Sequence, residues 1–360
     1  MISVCIITRD EADVLRKCLK ALEKYDVEIV VVDTGSKDDS KKTALEYTDK
    51  VYDFEWCDDF SAARNFAAGK ASNDIILALD TDEVVENFNV QEKIVEDGKA
   101  VGRILRINQF VREGEVQRGK ERISRLYDRR YYRYVGRIHE QIEKREDTNA
   151  SENICDIDVT VRHYGYDGSR EQIITKAERN IRLLELDLAE NGEKPYTLYQ
   201  LGKSYYMRKD YERAVEYFGK ALGYDLDPKL EYVQDMVETY GYALVNTGRA
   251  DEACGILGSE DVYDTFSGWA DYCFMMGLVY MNCTMYERAI DEFERATTKP
   301  ARMDGTNSYK ALYNIGVILE CQGRIEEALK YYEKCGEYQA ALKRRSILKI
   351  KLKRSKWSRK

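Results

Sequence analysis

The feature that most constrains this 360-residue chain is an apolar run that ends in a group of carboxylates. Residues 75–79, Ile-Ile-Leu-Ala-Leu, have the composition of a buried strand in a parallel sheet, and Asp80, Asp82 and Glu83 follow it. Asp80 and Asp82 can both reach one hard divalent cation, whose other ligands would be phosphate oxygens. The alternative is a solvated turn, where Asp is common. Open α/β sheets bind their ligands at such strand ends.

The residues before this run predict two more strands of the same sheet. Residues 3–7 form a short apolar strand, followed by a polar loop and by apolar residues at helical spacing up to residue 22. Residues 28–33 form a second buried strand that ends in Asp33. We therefore expect Asp33 to lie near Asp80, where a carboxylate can accept hydrogen bonds from the base or ribose of a nucleotide. A helix cap or a turn residue is the alternative.

Four motifs along this part of the chain resemble those of family-two glycosyltransferases with a GT-A fold. They occupy residues 8–11, 29–36, 60–65 and 79–83 and occur in the order that the family shows. The order makes the signal specific, whereas one motif alone would be weak. The resemblance implies that residues 1–166 form an α/β domain with a mixed sheet that binds a nucleotide sugar.

The resemblance also implies roles for individual side chains. Asp33 is similar to the acid that recognises the nucleobase, usually uracil, and Thr8 and Glu11 flank that pocket. Asp80 and Asp82 match the acid-x-acid motif that holds a divalent cation, Mn²⁺ or Mg²⁺, against the diphosphate of the sugar nucleotide. A metal cofactor is therefore expected.

Two sets of cations are candidates for phosphate contacts. Arg64 resembles the arginine that lines the nucleotide site, and its guanidinium group suits a diphosphate or a base. The alternative is a surface helix residue paired with Asp58 or Asp59. Residues 122–130 are also rich in arginine, which predicts either contacts with phosphates or an anionic acceptor, or a solvated strand face.

The chain contains only two histidines, and both follow the acidic motif, where such enzymes place the acceptor. Sugar transfer needs a base for the acceptor proton and a cation that neutralises the departing diphosphate. Glu140 is the predicted base, with His139 orienting it or serving in its place. The family usually has Glu-Asp or a similar acid at this stage, so the His-Glu pair leaves the assignment open. His163 is predicted to complete the metal shell, although Mn²⁺ and Mg²⁺ favour oxygen ligands. A structural role is the alternative for each histidine.

Beyond residue 166 the pattern changes to long helical periodicity. Residues 167–194 predict a connecting amphipathic helix, and residues 195–340 resemble tetratricopeptide repeats, an all-α solenoid. Successive units carry one glycine at the same place, and the spacings are 39, 36 and 39 residues for Gly202, Gly241, Gly277 and Gly316. The small residue lets paired helices approach, while aromatic side chains fill the groove between them. We expect the repeats to bind the acceptor protein or to form a homo-oligomer; a passive scaffold is the other alternative.

The charge of the chain is uneven. Ten of its 57 Lys and Arg residues fall within residues 343–360, which contain no acid, and this leaves 47 cations against 65 acids elsewhere. The amphipathic basic tail, residues 341–360, is predicted either to contact a membrane surface or to fold back on the acidic repeats. The excess of acidic residues in the rest of the chain and the lack of a motif that recognises nucleic acid argue against nucleic acid as a partner.

Composition also predicts a compartment. The sequence has no apolar run near the roughly 20 residues of a membrane span, and its amino terminus lacks a signal-peptide pattern. The nine cysteines include no Cys-x-x-Cys pair, and several fall on apolar positions, as in a reducing environment. These features predict a cytoplasmic protein, located either free in the cytoplasm or at the inner surface of the membrane.

The motifs together predict a metal-dependent, inverting glycosyltransferase, with inversion implied by the family resemblance alone. The donor is predicted to be a nucleoside-diphosphate sugar, UDP-linked, and the acceptor a protein, a peptide or a cell-surface glycan. The alternative is a noncatalytic adaptor with a relic nucleotide-sugar-binding domain, against which the intact Asp33, Arg64, Asp80 and Asp82 argue. A nucleotidyltransferase is a third alternative, but the sequence lacks a glycine-rich triphosphate loop with its lysine.

Overall fold

The computed structural model describes residues 1–90, 100–112, 115–146, 148, 153–164 and 170–357. The chain divides into two compact units, Met1–Gly192 and Glu193–Lys360. The first unit is α/β and the second is helical. The predicted change of fold class along the chain is therefore confirmed.

The first unit is built around a mixed sheet. Its strands are β1 (Ser3–Thr8), β2 (Glu28–Asp33), β3 (Val51–Asp53), β4 (Ile75–Asp80), β5 (Glu83–Asn89), β6 (Ala100–Arg112), β7 (Glu115–Asp128), β8 (Tyr132–Val135), β9 (Gln141–Lys144) and β10 (Asn153–Tyr164). Its helices are α1 (Ala12–Leu22), α2 (Ser40–Leu45), α3 (Phe60–Lys70) and α4 (Arg170–Asn191). Among the described residues, eight strands form one sheet in the order β3-β2-β1-β4-β7-β6-β10-β5, and β8 pairs with β9 separately.

The parallel half of the sheet brings the predicted acids to one edge. Strand β1 lies between β2 and β4 and runs parallel to both, so that Thr8 is opposite Asp33 and Ile7 is opposite Asp80. The carboxyl ends of these strands therefore meet, as their apolar composition and terminal acids predict.

Both faces of this parallel half are buried, which explains why its strands are apolar at almost every position. Val4 and Ile6 face a core that includes Leu15 of α1, whereas Cys5 faces the opposite core, which includes Ala67 of α3. Helix α1 reaches its core through an amphipathic stripe. The two layers of helices fix the sheet, and its polar edge stays available for the site.

The other half of the sheet returns polar residues to the same region. Strand β7 runs antiparallel to β4, and β10 runs antiparallel to β5 and parallel to β6. In these pairings His163 of β10 lies opposite both Glu83 of β5 and Asn108 of β6. The sheet topology thus places a histidine beside the acidic strand end.

The second unit consists of paired helices. They are α5 (Pro195–Met207), α6 (Tyr211–Leu222), α7 (Glu231–Asn246), α8 (Ala250–Leu257), α9 (Glu260–Phe266), α10 (Ala270–Asn282), α11 (Tyr286–Ala296), α12 (Tyr309–Cys321), α13 (Ile325–Lys334) and α14 (Gln339–Trp357). In three pairs a glycine of the first helix touches an aromatic ring of the second. A Cβ at these glycines would lie 2.6, 2.7 and 2.6 Å from the ring, for Gly202 on Phe218, Gly277 on Phe293 and Gly316 on Tyr332. Gly241 instead meets Met275 and Leu257, so its unit departs from the pattern.

The final helix packs against the last repeat. Leu348 of α14 is buried, and the helix forms ion pairs at 3.1 Å between Arg344 and Glu320 and at 3.0 Å between Lys349 and Glu333. The described side chains therefore support the alternative in which the basic tail folds back on acidic repeats. Contact with a membrane surface stays a prediction. Within the described residues, each helix is too short or too polar to cross a bilayer.

Candidate active site

Arg64 links two of the predicted site acids. Its Nη2 donates to Oδ1 of Asp80 at 2.5 Å, and its Nε donates to Oε1 of Glu140 at 2.5 Å. The Arg64 side chain is only 6% exposed, so these acids supply the counter-charge that a buried guanidinium group requires. The structure therefore brings together Arg64, Asp80 and Glu140, which are far apart in the sequence.

The alternative partners of Arg64 are engaged elsewhere. Asp59 caps helix α3 by accepting a hydrogen bond from the backbone N–H of Ala62 at 2.9 Å. Asp58 accepts hydrogen bonds from Arg182 at 2.7 and 2.9 Å. Arg64 is thus a buried residue and not a surface helix residue.

A second arginine holds Asp80 from the other side. Arg125 of β7 donates through Nη2 to Oδ2 of Asp80 at 2.5 Å and to Oε1 of Glu83 at 3.1 Å. Glu83 is fully buried, and it also accepts from Arg106 at 3.2 Å and from the backbone N–H of Asp80 at 3.0 Å. Burial alone would raise the pKa of Asp80, but the guanidinium groups of Arg125 and Arg64 hold that pKa well below its usual range. Asp80 therefore stays ionised.

Residue patterns alone predict no individual role for Glu83, Arg106 or Arg125. The signal in the sequence is a lone arginine between apolar residues in a strand-like run, as in Ile104-Leu105-Arg106-Ile107. A cation at such a position needs a buried partner. Which acid it meets depends on the pairing of β4, β6 and β7, and residue patterns alone do not determine that register.

Asp82 faces His163 across a distance that suits a shared metal ion. Nε2 of His163 lies 3.0 Å from Oδ2 of Asp82. Adjacent ligands of an octahedral ion with bonds of about 2.1 Å are about 3 Å apart, so the carboxylate oxygen and the imidazole nitrogen fit one cation. The described residues contain no group of three or more His, Cys, Asp or Glu side chains suited to a metal. A cation held here would therefore need further ligands from phosphate oxygens and water. Asp80 commits both oxygens to arginines, and its role as a ligand stays a prediction.

Within the described ranges, the predicted nucleotide pocket contains two buried polar atoms without hydrogen-bond partners. Oδ1 of Asp33 accepts from the backbone N–H groups of Gly35 and Ser36, each at 2.8 Å, which is the geometry of a turn residue. Oδ2 of Asp33 is buried and finds no hydrogen-bond partner among the described residues, and the same holds for the hydroxyl of Thr8. These two residues are opposite each other on β1 and β2. Buried polar atoms in this state are rare, and a bound ligand would satisfy them.

Helix α3 also positions the loop that carries the predicted base. Asn65 donates to the backbone carbonyl of Tyr134 at 2.8 Å and accepts from its N–H at 3.0 Å. The N–H of Phe60 donates to the carbonyl of Arg137 at 2.8 Å. These bonds hold the segment after β8, and Glu140 follows it on the way to β9. Residues 60–65 therefore support Glu140 and supply Arg64 at once.

Glu11 and His139 are the remaining predicted residues, and each lies next to a residue of the site. Glu11 accepts a hydrogen bond from the hydroxyl of Thr81, so it joins the loop after β1 to the acidic strand end. His139 precedes Glu140 and has a left-handed backbone with φ of 52°. The structure leaves the roles proposed for Glu11 and His139 as predictions.

The arrangement is similar to known proteins in both units. Residues 3–151 match the family model described as Glycosyl transferase family 2. Residues 195–227, 270–298 and 309–339 match models described as tetratricopeptide repeat. These matches confirm the order of domains that the sequence predicts.

Individual proteins show the same similarity. A TPR repeat-containing protein of Synechococcus elongatus is 32% identical over 230 residues, 61% of this chain and 56% of that protein. The SPbeta prophage-derived glycosyltransferase SunS of Bacillus subtilis is 27% identical over 228 residues, 60% of this chain and 52% of SunS. An uncharacterized glycosyltransferase of Rickettsia felis is 25% identical over 206 residues, 54% of this chain and 72% of its own length. The chain thus spans about half the length of the first two relatives.

Proposed function

Because the chain joins a glycosyltransferase family 2 domain to tetratricopeptide repeats, we propose that it transfers a sugar from a UDP-linked donor to a protein, peptide or cell-surface glycan acceptor. The observation that carries the proposal is the buried Oδ2 of Asp33 beside the hydroxyl of Thr8, since neither has a hydrogen-bond partner in the part of the chain that the structure describes. The repeats would bind the acceptor protein or a second copy of the chain.

Asp33 is suited to bind uracil because hydrogen bonds already fix one of its carboxylate oxygens. The turn N–H groups hold Oδ1, so Oδ2 remains as a charged acceptor in a fixed place. Uracil offers a ring N–H that can donate to this oxygen, whereas cytosine presents an acceptor at the same position. The Thr8 hydroxyl can donate to a base carbonyl or accept from the ribose. The pocket therefore favours a uridine nucleotide over a cytidine nucleotide.

The diphosphate of the donor would lie next to the ion pairs that Arg64 and Arg125 form with Asp80. Asp82 and His163 would hold a divalent cation, Mn²⁺ or Mg²⁺, and that ion would supply charge neutralisation for the departing nucleoside diphosphate. Arg64 retains one guanidinium nitrogen, Nη1, that is buried and has no partner among the described residues. This nitrogen is available to donate to a phosphate oxygen. Asp80 then serves to hold Arg64 and Arg125 in place.

Glu140 would take the proton from the acceptor hydroxyl or thiol as the sugar is transferred. Its carboxylate is held by Arg64, so nucleotide binding and proton removal share one guanidinium group. His139 would orient Glu140 or act in its place. Direct displacement by the acceptor would invert the configuration at the sugar carbon, as the family resemblance implies.

A donor-hydrolysis screen tests this proposal. UDP-, GDP- and dTDP-sugars are incubated with the full chain and Mn²⁺, and nucleotide release is measured. We expect release from a UDP-sugar, and we expect Asp33→Asn to raise the KM for that donor by about tenfold or more, because the amide places a donor against the uracil N–H. Asp53→Asn is the matched control, since Asp53 ends the neighbouring strand β3 and pairs with Lys41 at 2.6 Å.

A binding measurement separates the enzyme from a noncatalytic adaptor. UDP with Mn²⁺ should raise the melting temperature of the native chain but not that of the variant Asp82→Ala. Equal shifts in both proteins would remove the metal assignment. No shift in either protein, together with no nucleotide release, would overturn the enzymatic proposal.

A further inference from the structure

We propose that the repeats bind an arginine of a protein partner at Glu238, and that Arg302 of the chain itself occupies this place until the partner displaces it. Arg302 belongs to residues 300–306, here called the strap, which lie in the connection between helices α11 and α12. The inference rests on the proposed function, because it states how the repeats would recognise an acceptor protein.

The strap is bound to the first helices of two neighbouring repeats. Nη2 of Arg302 donates to Oε1 of Glu238 on α7 at 2.5 Å, and Nη1 donates to the backbone carbonyl of Glu231 at 3.3 Å. Asp271, near the start of α10, accepts from the backbone N–H of Arg302 at 2.7 Å. It also accepts from the hydroxyl of Thr306 at 2.8 Å. The strap therefore crosses from one repeat to the next.

The strap lies on a charged strip that the first helices of three successive repeats share. Lys203 of α5 donates to Asp235 of α7 at 2.9 Å. Asp235 and Glu238 are three residues apart, so they lie on one face of α7. Asp271 continues the strip on α10 through its bonds to the strap. Repeat arrays bind partners along surfaces that several repeats build together. An extended segment of a partner would follow this strip.

The charges of the strip favour a cationic partner. Its carboxylates are Asp235, Glu238 and Asp271, and its cations are Lys203 and Arg302. Burial raises the pKa of Glu238 to about 8, and the charges of Asp271 and Asp235 add to this effect while Arg302 opposes it. Arg302 thus does not fully offset the burial of Glu238. A cation that bonds Glu238 more completely would be bound in its place.

The contact between Arg302 and Glu238 is weaker than such a pair can be. A guanidinium group and a carboxylate prefer two parallel hydrogen bonds, but in this contact Nη2 donates to Oε1 alone. Nε of Arg302 is buried, and within the described ranges it has no hydrogen-bond partner. The bond from the backbone of Arg302 to Asp271 restricts how its side chain approaches Glu238. An arginine of a partner is free of that restriction and can form both bonds.

A peptide with the sequence of residues 297–308 tests the inference, because it contains the whole connection between α11 and α12. The fluorescently labelled peptide is titrated with the full chain, and binding is followed by anisotropy. We expect Arg302→Ala to bind this peptide about tenfold more tightly than the native chain does, because the strap no longer competes for Glu238. A peptide with alanine in place of its arginine should lose this gain.

Further variants locate the peptide and control for general effects. Glu238→Gln added to Arg302→Ala should remove the gain in affinity, because the partner of the peptide's arginine is lost. Arg324→Ala is the matched control, since Arg324 forms an exposed ion pair at 2.7 Å elsewhere in the same unit. If Arg302→Ala does not fold, Thr306→Val replaces it. That variant removes the hydroxyl bonded to Asp271, and we expect it to raise the affinity by about three- to tenfold.

The outcomes separate the inference from the proposed function. Equal affinity of the peptide for the native chain, Arg302→Ala and Arg324→Ala, or no binding to any of them, would overturn the inference and make the strap a fixed part of the fold. Equal affinity of peptides with and without arginine would overturn the assignment to Glu238. Neither result affects UDP-sugar hydrolysis, which is assigned to the first unit. Absence of UDP binding and hydrolysis in the native chain would instead overturn the proposed function.

Discussion

Arg64 and Asp80 lie 16 residues apart in the sequence, yet Nη2 of one is 2.5 Å from Oδ1 of the other. The same guanidinium group reaches Glu140 through Nε, so the predicted base and the first acid of the acid-x-acid motif share one cation. We predict that Arg64→Ala lowers the free energy of unfolding by about 3–5 kcal/mol, because it leaves buried charge without a partner. Urea denaturation measures this change.

The replacement Arg64→Lys tests whether geometry or charge matters at this position. Lysine keeps the charge but lacks the fork that bonds two acids at once. We expect stability between that of the native chain and Arg64→Ala, together with a large loss of UDP-sugar hydrolysis. Arg182→Ala is the control, since it removes a half-exposed pair with Asp58 and should change stability little. Equal losses in the two alanine variants would contradict the assignment.

Local pattern is enough to predict the parallel half of the first unit. Apolar runs that end in Asp33 and Asp80 define strands β2 and β4, and parallel strands of this kind place their carboxyl ends together. The pairs made by Asp80 could not be predicted in the same way. Arg125 reaches it only through the antiparallel pairing of β7 with β4, which joins segments separated by other strands. Long-range pairing is set by the whole sheet, so residue spacing does not reveal it.

The helical unit was predictable for a related reason. Its contacts repeat at a fixed sequence distance, so the spacing of glycines alone identifies the units. The contact between Gly202 and Phe218 is local, as is the equivalent contact between Gly316 and Tyr332. The fold of a repeat array therefore follows from local pattern, whereas a site assembled from distant strands does not.

The close contact at Gly202 predicts that alanine substitution has opposite effects on stability at two glycines of the same repeat. A Cβ at Gly202 would lie 2.6 Å from the Phe218 ring, so Gly202→Ala should destabilise the chain by about 1–3 kcal/mol. Gly219 of helix α6 has no atom closer than 3.8 Å to such a Cβ, and Gly219→Ala should stabilise the chain by about 0.5–1 kcal/mol. Urea unfolding of both variants checks the sign. Stabilisation by Gly202→Ala would contradict the packing.

The backbone conformation of the turns within the repeats predicts how two further substitutions change stability. Thr284 has φ of 59° in the turn between α10 and α11, where the equivalent residues of other units are Gly248 and Gly323 with φ of 76° and 77°. A β-branched residue is strained in this left-handed region. Thr284→Gly should therefore stabilise the chain by about 1 kcal/mol, and Gly323→Thr should destabilise it by a similar amount. Thermal unfolding of both proteins measures the effect. A lower melting temperature for Thr284→Gly would refute this account.

The lowered pKa of Glu28 predicts how the stability of the fold changes at acidic pH. Burial alone would raise the pKa of Glu28, but hydrogen bonds from Lys50, Ser3 and Ser72 bring it from its ordinary value of 4.5 to about 2. Because the pKa is lower in the folded chain, the ionised group stabilises the fold above pH 4.5, and this contribution is lost as the pH falls from 4.5 towards 2. Glu28→Gln should therefore cost more stability at pH 7 than at pH 3. Urea unfolding at both pH values measures the difference, and an equal cost at both would show that the charge of Glu28 contributes nothing.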